Sequence, residues 1–393
     1  MRGRTVLQIL PDLEAGGAER TAVDVAAAVV AHGGRALVAS GGGRLAGELV
    51  AAGAVDVRFP AATKNPLAMA ANVPRLVRLI RAEGVDLVHA RSRAPAWTAL
   101  AAARLAGIPF VTTYHGAYGE RSRAKNLYNS VMARGDAVIA NSAYTADLIA
   151  ARHPVAAGRI VTIPRGSDLS AYAPEAVGRD RVEALAAAWG LSAEDRGRPL
   201  VLLAARLTGW KGQTVLIDAM AILAAAGSPA IAVFAGDAQG RDDYVAALDR
   251  RIAEAGLAGR VRMPGHCVDV PAAFALATVV AVPSTEPEAF GRSAVEAQAA
   301  GLPVVASAIG ATGETVLAPP QVAPGERTGW RVAAGDPVAL AAALGEALAL
   351  DAASRAALAH RARAHVEARF SLAAMTDATL AVYRRLLPIT RNG

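Results

Sequence analysis

The stretch from residue 277 to residue 307 constrains the fold more than any other part of the chain. A β-branched apolar run ends at Pro283, a short acidic loop follows, and a helical segment leads into a second apolar run at residues 304–306. This order of strand, loop, helix and strand predicts a βαβ unit of a parallel sheet. Its loop then lies at the carboxyl end of a strand, which is where open α/β sheets bind their ligands.

Two acidic residues stand eight positions apart in this stretch, Glu288 in the loop and Glu296 in the helix that begins near Phe290 and Gly291. The free N–H groups and the positive dipole end at a helix start suit a phosphate. Carboxylates repel phosphate and suit hydroxyl groups. A sugar nucleotide offers both kinds of group, a diphosphate and hydroxylated rings. Two simpler interpretations stay open: Glu288 is a solvated loop acid, and Glu296 completes a capping box with Ser293.

A second pair of charged residues, Arg206 and Lys211, follows the predicted strand at residues 200–205. Two cations at the end of a strand can hold a diphosphate from two sides. They would stabilise the negative charge that develops on a departing nucleotide. The alternative is a solvated basic loop, but Lys211 is one of only three lysines in a chain that otherwise uses arginine.

Two further positions in the first half of the chain follow predicted strands. Gly16 and Gly17 lie at the first strand-to-helix turn, where glycine lets the backbone approach a ligand closely. His115, followed by Gly116, ends the predicted strand at residues 109–113. A lone histidine is often structural, but its position at the end of a strand favours a binding role for this one.

The motifs together resemble a known family. The E-x7-E pattern of Glu288 and Glu296, the sequence A-x-A-x-G-x-P-V-V-A-S that follows it and the R-x4-K-G of Arg206 to Gly212 are similar to those of the retaining glycosyltransferases of family 4. The resemblance implies a GT-B fold, an α/β architecture of two Rossmann-like doubly wound parallel-sheet domains facing each other across a cleft. It also implies transfer of a sugar from a nucleotide-diphosphate donor to an acceptor hydroxyl with retention of configuration, without a metal or other cofactor. Synthesis of lipopolysaccharide, capsule or another envelope glycan is a common setting for this family.

The resemblance also implies roles for individual residues. Arg206 and Lys211 hold the donor diphosphate, together with backbone N–H groups near Phe290 and Gly291. Glu288 orients the sugar hydroxyls and Glu296 the ribose diol.

In the first domain, the resemblance implies that Gly16 and Gly17 face the donor and that His115 contacts the transferred sugar. The chain departs from the family pattern at Arg165, where asparagine is usual, and at Arg292, where an apolar residue is common. Arg292 adds a possible contact to a phosphate or to an acidic sugar.

Length and composition favour two domains. The chain has 393 residues, of which 53% are hydrophobic and 19% charged, enough for two buried cores. We expect an acceptor-side domain at residues 1–172 and a nucleotide-sugar-binding domain at residues 173–370. A last amphipathic helix, residues 373–388, is expected to pack back on the first domain, and the cleft between the lobes is the expected ligand site.

The charge indicates acidic partners. The formal net charge is +7, but no basic run is interleaved with aromatic residues, which argues against nucleic acid. We expect an anionic or lipid-linked glycan acceptor at Lys64, Arg91 and Arg93, with a second basic cluster from Arg121 to Lys125. The alternative for these residues is a solvated surface.

The expected location is the cytoplasm, and peripheral contact with the inner face of the cytoplasmic membrane is compatible with this expectation. The single cysteine, Cys267, fits a reducing compartment, and neither a signal peptide nor a membrane span is predicted. Other functions stay open: another GT-B enzyme, such as a nucleotide-sugar epimerase or a glycan phosphorylase, or a non-catalytic nucleotide-sugar-binding subunit.

Overall fold

The computed structural model describes residues 1–14, 16–116, 118 and 122–387. Arg121 of the predicted second basic cluster and the last residue of the predicted C-terminal helix, Pro388, lie outside these residues. The chain divides into two compact units: residues 1–166 with 372–393 form the first, and residues 167–371 form the second. The first unit therefore ends a few residues before the domain boundary expected from the sequence.

The first unit contains a seven-stranded parallel sheet in the order β3-β2-β1-β4-β5-β6-β7. Its strands are β1 (Thr5–Ile9), β2 (Arg35–Ser40), β3 (Val55–Arg58), β4 (Leu87–Ala90), β5 (Phe110–Tyr114), β6 (Ala137–Ala140) and β7 (Ile160–Thr162). The α-helices between them are α1 (Gly17–Ala31), α2 (Ala46–Ala51), α3 (Pro66–Ala82), α4 (Arg93–Ala106), α5 (Arg123–Asn129) and α6 (Ala143–Arg152).

The second unit contains a six-stranded parallel sheet in the order β10-β9-β8-β11-β12-β13. Its strands are β8 (Leu200–Ala204), β9 (Ile231–Ala235), β10 (Val261–Gly265), β11 (Val279–Val282), β12 (Val304–Ser307) and β13 (Trp330–Val332). Its α-helices are α7 (Arg179–Ala188), α8 (Ala193–Arg196), α9 (Gln213–Ala225), α10 (Asp242–Glu254), α11 (Val270–Leu276), α12 (Arg292–Ala299), α13 (Thr312–Thr315), α14 (Pro337–Leu348) and α15 (Ala352–Phe370).

Each sheet is buried on both faces, which explains why its strands are runs of apolar residues rather than alternating ones. In β1, Leu7 and Ile9 pack into one core cluster, whereas Val6 packs into a second. In β8, Val201 and Leu203 face one cluster, whereas Leu200 and Leu202 face another. The predicted α/β fold with two doubly wound parallel-sheet domains is therefore confirmed.

The strand order places a topological switch point in each sheet, between β1 and β4 in the first unit and between β8 and β11 in the second. At such a point the connections from the two strands leave in opposite directions, so the loops at the carboxyl ends of the strands open a crevice for a ligand. Both motif regions of the second unit lie at its switch point, since one follows β8 and the other follows β11.

The C-terminal helix α16 (Leu372–Leu386) returns to the first unit, where it packs against α1. Its Tyr383 is fully buried, and the Tyr383 hydroxyl lies 2.6 Å from Nδ1 of His89 in β4. A buried hydrogen bond to a central strand, together with the apolar face of α16, fixes the helix on the sheet.

Among the described residues, no single helix has both the length and the apolar composition to cross a membrane. The helices α14 and α15 would pass that test only as a pair, by length and composition, and the pair is bent by 110°.

The sequence missed several short elements, among them β3, β13 and α11. Helix α11 has seven residues, of which four are alanine or proline. Strands β3 and β13 are short and lie at the edges of their sheets. Short elements of this kind carry too few residues for a periodic pattern to emerge.

Candidate active site

The second unit brings two predicted motifs together at the switch point of its sheet. Lys211 and Glu288 lie 77 positions apart in the chain, yet Nζ of Lys211 donates to Oε1 of Glu288 at 2.5 Å. The Ser284 hydroxyl donates to the same oxygen at 2.7 Å. The ammonium also lies 4.2 Å from the centre of the Trp210 ring. Glu288 is only 8% exposed, so this contact is shielded from solvent.

The backbone holds the two loops close to each other. Gly212 has a φ of +75°, and a Cβ atom at this position would stand 1.9 Å from the Pro283 carbonyl oxygen. The Thr285 N–H donates to the Trp210 carbonyl at 2.8 Å. Glycine is therefore required at position 212 both for its conformation and for the close approach of the loop after β11.

The main chain of Glu288 is fixed from the opposite side by the segment after β12. Glu288 and Gly310 form a parallel bridge, and the Ala311 N–H donates to the Glu288 carbonyl at 2.9 Å. A Cβ atom at Gly310 would stand 2.3 Å from that same carbonyl oxygen. The position of the Glu288 carboxylate is thus set by backbone pairing as well as by its side-chain contacts.

Helix α12 begins at the switch point. Its N-cap is Gly291, with a φ of +86°, and no side chain caps it. Phe290, which precedes it, is buried and packs edge-on against Phe370, with ring centroids 5.3 Å apart. The Ser293 hydroxyl donates to the Ala204 carbonyl at 2.8 Å, which ties the first turn of α12 to the end of β8.

Glu296 does not complete a capping box, so that interpretation is wrong. Its Oε1 accepts from Nε of Arg292, one turn earlier, at 2.5 Å, and its side chain is almost fully buried. The Tyr172 ring lies beside the two groups, and burial together with the Glu296 charge raises the pKa of Tyr172. The Glu296 charge also raises the pKa of Arg292, so the guanidinium is permanently charged.

Arg206 is not part of the Lys211–Glu288 contact. Its side chain is exposed at the end of β8, and its Nη1 lies 3.4 Å from the Gln239 side-chain oxygen. Its carbonyl accepts from Nε2 of the buried Gln213 at 2.9 Å, and Gln213 is in turn bonded to the Tyr244 hydroxyl. The guanidinium is therefore accessible, while the backbone that carries it is fixed.

In the first unit, the structure brings Gly17 and His115 together through Arg165, the residue that departs from the family pattern. Nη2 of Arg165 lies 2.8 Å from Nδ1 of His115. A Cβ atom at Gly17 would stand 2.5 Å from Nη1 of Arg165, and one at Gly16 would stand 2.1 Å from a Glu19 carboxylate oxygen. The two glycines are thus covered by side chains of the protein itself.

His115 is held neutral. Burial lowers the pKa of His115 well below its usual value of 6.5, and the charges of Arg165 and Arg91 lower it further. Its Nε2 atom is buried and has no hydrogen-bond partner in the part of the chain that the structure describes.

The expected acceptor-binding cations have different surroundings from one another. Lys64 is exposed next to Asn65, the N-cap of α3. Arg93, at the start of α4, donates to Oδ1 of Asn129 at 2.9 Å and lies over the Tyr118 ring.

Arg91 requires a correction, because it is not a solvated loop cation. Its side chain is 2% exposed, and its Nε donates to Oε1 of Gln8 in the neighbouring strand. Burial lowers the pKa of Arg91, and the nearby Tyr383 and Asp24 oppose this effect. Arg91 follows β4 directly, and its buried guanidinium lies beside Gln8 of β1 and Tyr383 of α16 rather than in solvent.

The sequence patterns did not single out several residues at these sites. Ser284 contacts the Glu288 carboxylate, and Tyr172 lies beside Glu296. Each falls outside the motif that carries its partner, and Tyr172 lies in the polar segment that follows the first unit. Among the described residues, no group of three or more His, Cys, Asp and Glu side chains is arranged to hold a metal ion.

Comparison with protein families assigns both halves of the chain. Residues 15–171 match Glycosyltransferase Family 4, and residues 192–365 match Glycosyl transferases group 1. The chain is 31% identical to 2-deoxystreptamine glucosyltransferase of Streptomyces kanamyceticus in an alignment of 300 positions, which covers 68% of this chain and 73% of the relative. It is 32% identical to D-inositol 3-phosphate glycosyltransferase of Salinispora arenicola over 57% of this chain, and this match spans only 54% of that relative.

Among solved structures, Anabaena HepE in complex with UDP and glucose has a similar fold. It superposes with a TM-score of 0.82 at 27% identity, over 97% of this chain and 99% of that chain. The likeness therefore extends over both units.

Proposed function

The chain belongs to glycosyltransferase family 4, and we propose that it transfers a sugar from a nucleotide-diphosphate donor, with UDP-glucose as the first candidate, to an acceptor hydroxyl. UDP and glucose are the ligands of the related Anabaena HepE structure. The observation that carries the proposal is the contact between Lys211 and Glu288 at the switch point of the second sheet. At such a point an ammonium can pair with the diphosphate of a nucleotide sugar, and a carboxylate can accept hydrogen bonds from its sugar hydroxyls.

Without a donor, the Lys211 and Glu288 charges compensate each other. A bound donor would replace this contact with two others: the diphosphate oxygens pair with Lys211, and the sugar hydroxyls donate to Glu288. The exposed Arg206 guanidinium and the N–H groups near Phe290 and Gly291 complete the diphosphate site. We propose that Glu296, on α12, accepts from the ribose hydroxyls.

In the proposed reaction the bond between the anomeric carbon and the β-phosphate oxygen breaks, and a bond from the anomeric carbon to the acceptor oxygen forms. The proton of the acceptor hydroxyl passes to the departing phosphate oxygen on the same face of the sugar, which gives retention. Negative charge grows on the β-phosphate as the bond breaks. Lys211 and Arg206 stabilise that charge more strongly in the transition state than in the ground state.

His115 would contribute from the first unit as a neutral hydrogen-bonding group for a hydroxyl of the transferred sugar. No metal is assigned a role, since the two cations and the helix start can neutralise the diphosphate. We therefore propose that EDTA leaves the rate unchanged.

The acceptor is proposed to be an anionic or lipid-linked glycan, as in lipopolysaccharide or capsule synthesis, on the inner face of the cytoplasmic membrane. The net charge of +7 and the exposed Lys64 support this choice. The relatives named above have cyclitol-type acceptors in their names, so a phosphorylated cyclitol is the first small acceptor to test.

The test is incubation of the purified protein with UDP-, GDP- and ADP-glucose, with and without a cyclitol phosphate or a lipid-linked glycan, followed by NMR. We expect one nucleotide sugar to support the formation of a new α-linked glycoside with release of the nucleoside diphosphate. Isomerisation of the donor without acceptor would indicate an epimerase, and dependence on inorganic phosphate a phosphorylase. Binding without any turnover would indicate a non-catalytic subunit, and each of these results would overturn the proposal.

A further inference from the structure

The contact between Arg165 and His115 determines which nitrogen of the imidazole carries the proton. A guanidinium has only N–H donors and no acceptor. Because Nη2 of Arg165 lies 2.8 Å from Nδ1 of His115, Nδ1 has to accept this hydrogen bond. In a neutral ring the single proton is then on Nε2, so His115 presents a donor at Nε2 and no longer accepts.

That Nε2–H group is buried and, within the described residues, has no acceptor. Buried polar groups without partners are rare in native proteins, because each one loses its hydrogen bonds to water without replacement. An oxygen atom of a bound substrate, placed beside His115 near the turn of Gly16 and Gly17, would accept a hydrogen bond from this Nε2–H group.

Asn141 provides a second, independent sign of a ligand at the same sheet edge. Its side chain is 3% exposed, and neither its amide oxygen nor its amide nitrogen has a partner in the described part of the chain. The register of β5 and β6 pairs Tyr114 with Ala140, so the residues that directly follow the two strands, His115 and Asn141, leave the same edge of the sheet from neighbouring positions.

The backbone joins Arg165 to this pair. The Arg165 N–H donates to the Asn141 carbonyl at 3.2 Å, and the Arg165 side chain reaches over Gly17 to His115. A permanent positive charge, a fixed N–H donor and an unpartnered amide thus lie together. A carboxylate oxygen of Glu19 also lies at this turn, next to Gly16.

We propose that Arg165 is a positioning and specificity-determining residue, which holds His115 as a donor from Nε2 and forms with His115 and Asn141 a subsite for an oxyanion substituent of the substrate, a carboxylate or a phosphate. Arg165 acts on the substrate through His115 and through its charge. The proposal rests on the proposed function, because it assigns the subsite to a substrate of that reaction. A neutral hydroxyl can occupy the subsite as an acceptor, whereas an ammonium group is repelled.

The first experiment needs no substrate and reports the tautomer directly. Long-range proton–nitrogen NMR of the imidazole rings distinguishes Nδ1–H from Nε2–H, and the His115 signals are those that disappear in His115→Gln. We expect Nε2–H in the wild type and in Arg165→Lys, since an ammonium also only donates. Arg165→Met should shift His115 toward a mixture of tautomers. An unchanged Nε2–H population in Arg165→Met would overturn the positioning role.

The second experiment measures specificity. The ratio of kcat/KM for UDP-glucuronate and UDP-glucose tests a carboxylate on the donor sugar, and the ratio for a cyclitol phosphate and the free cyclitol tests a phosphate on the acceptor. We expect Arg165→Met to reduce one of these anionic-to-neutral ratios by about tenfold or more. Arg165→Lys should retain most of the ratio. Arg78→Met, which removes an exposed arginine from α3, is the matched control and should leave both ratios unchanged.

Two results separate the possible failures. If both ratios are the same in Arg165→Met and in the wild type, the specificity role is wrong although the transferase function stands. If the wild type transfers no sugar from any nucleotide, the proposed function fails, and the substrate assignment of the subsite falls with it. The tautomer measurement still decides the positioning role in that case.

Discussion

Nζ of Lys211 donates to Oε1 of Glu288 at 2.5 Å, across the gap between the loops after β8 and β11. These strands are neighbours at the switch point of the second sheet, so the contact joins the two predicted motifs of this unit. The same carboxylate oxygen accepts from Ser284, which leaves the other oxygen of Glu288 available for a ligand.

Replacement of Lys211 tests transition-state stabilisation. We expect Lys211→Ala to lower kcat by roughly 10² or more, because the charge on the departing phosphate loses a fixed cation. Steady-state kinetics with UDP-glucose measure the effect. The control is Arg250→Ala, which removes an exposed cation of the same unit from α10. A kcat within twofold of the wild type would contradict the assigned role.

Replacement of Gly212 tests the close approach of the two loops. Gly212 and Gly256 both have a positive φ, but a Cβ atom meets the Pro283 carbonyl at position 212 and nothing within 4 Å at position 256. Gly256→Ala should lower the free energy of unfolding by about 1–2 kcal/mol, the strain of a left-handed alanine. Gly212→Ala should lower it further and should also reduce kcat, because the Lys211 loop has to move away from Glu288. Equal urea midpoints for the two variants would contradict this prediction.

Replacement of Arg292 tests the ion pair with Glu296. In Arg292→Leu, which introduces the apolar residue that the family resemblance leads us to expect here, the buried Glu296 loses its cation. We expect the free energy of unfolding at neutral pH to fall by about 1–2 kcal/mol. This is less than for a fully buried ion pair, because the Arg292 side chain is partly exposed. The double variant Arg292→Leu with Glu296→Gln should recover part of this loss. If the double variant were less stable than Arg292→Leu, the unpaired carboxylate would not be the cause.

The buried His89 predicts a pH dependence of stability. Burial lowers the pKa of His89 well below its usual value of 6.5, and the neighbouring Arg91 and His115 lower it further. Below about pH 6.5 the unfolded chain therefore binds a proton that the folded state excludes, so the free energy of unfolding falls as the pH falls. For this one residue the loss between about pH 7.5 and about pH 5.5 is at most about 1.4 kcal/mol, the value for a folded state that takes up no proton in this range.

Urea unfolding at the two pH values measures this loss. His89→Gln should show a smaller difference between them than the wild type, whatever its stability at neutral pH. His360→Gln, an exposed histidine on α15, should keep the wild-type difference. A wild-type difference that His89→Gln leaves unchanged would show that other groups cause the acid sensitivity.

Much of the fold follows from local patterns that need no partner to be recognised. Apolar β-branched runs such as Val279–Val282 predict buried parallel strands, and the glycines and prolines after them mark where strands and helices end. The E-x7-E and R-x4-K-G spacings place their residues at the ends of strands. The parallel sheet then requires those ends to lie at one edge.

The pairing of side chains could not be predicted in the same way. Two alternatives that the sequence left open, a capping box for Glu296 and a solvated position for Arg91, are wrong: Glu296 pairs with Arg292, and Arg91 is enclosed beside Gln8. Arg165 stood out as a departure from the family pattern, but nothing in its surrounding residues indicated a contact with His115, 50 positions earlier.

The sequence alone determined the kind of sheet, the number of domains and the chemical type of residue at each loop, because these follow from periodicity and from local backbone preference. The tertiary structure decided which charges are compensated, which polar atoms are left without partners and which tautomer His115 adopts. These properties depend on distances of a few ångströms between segments far apart in the chain. Such distances are fixed only when strand register and side-chain packing are set together.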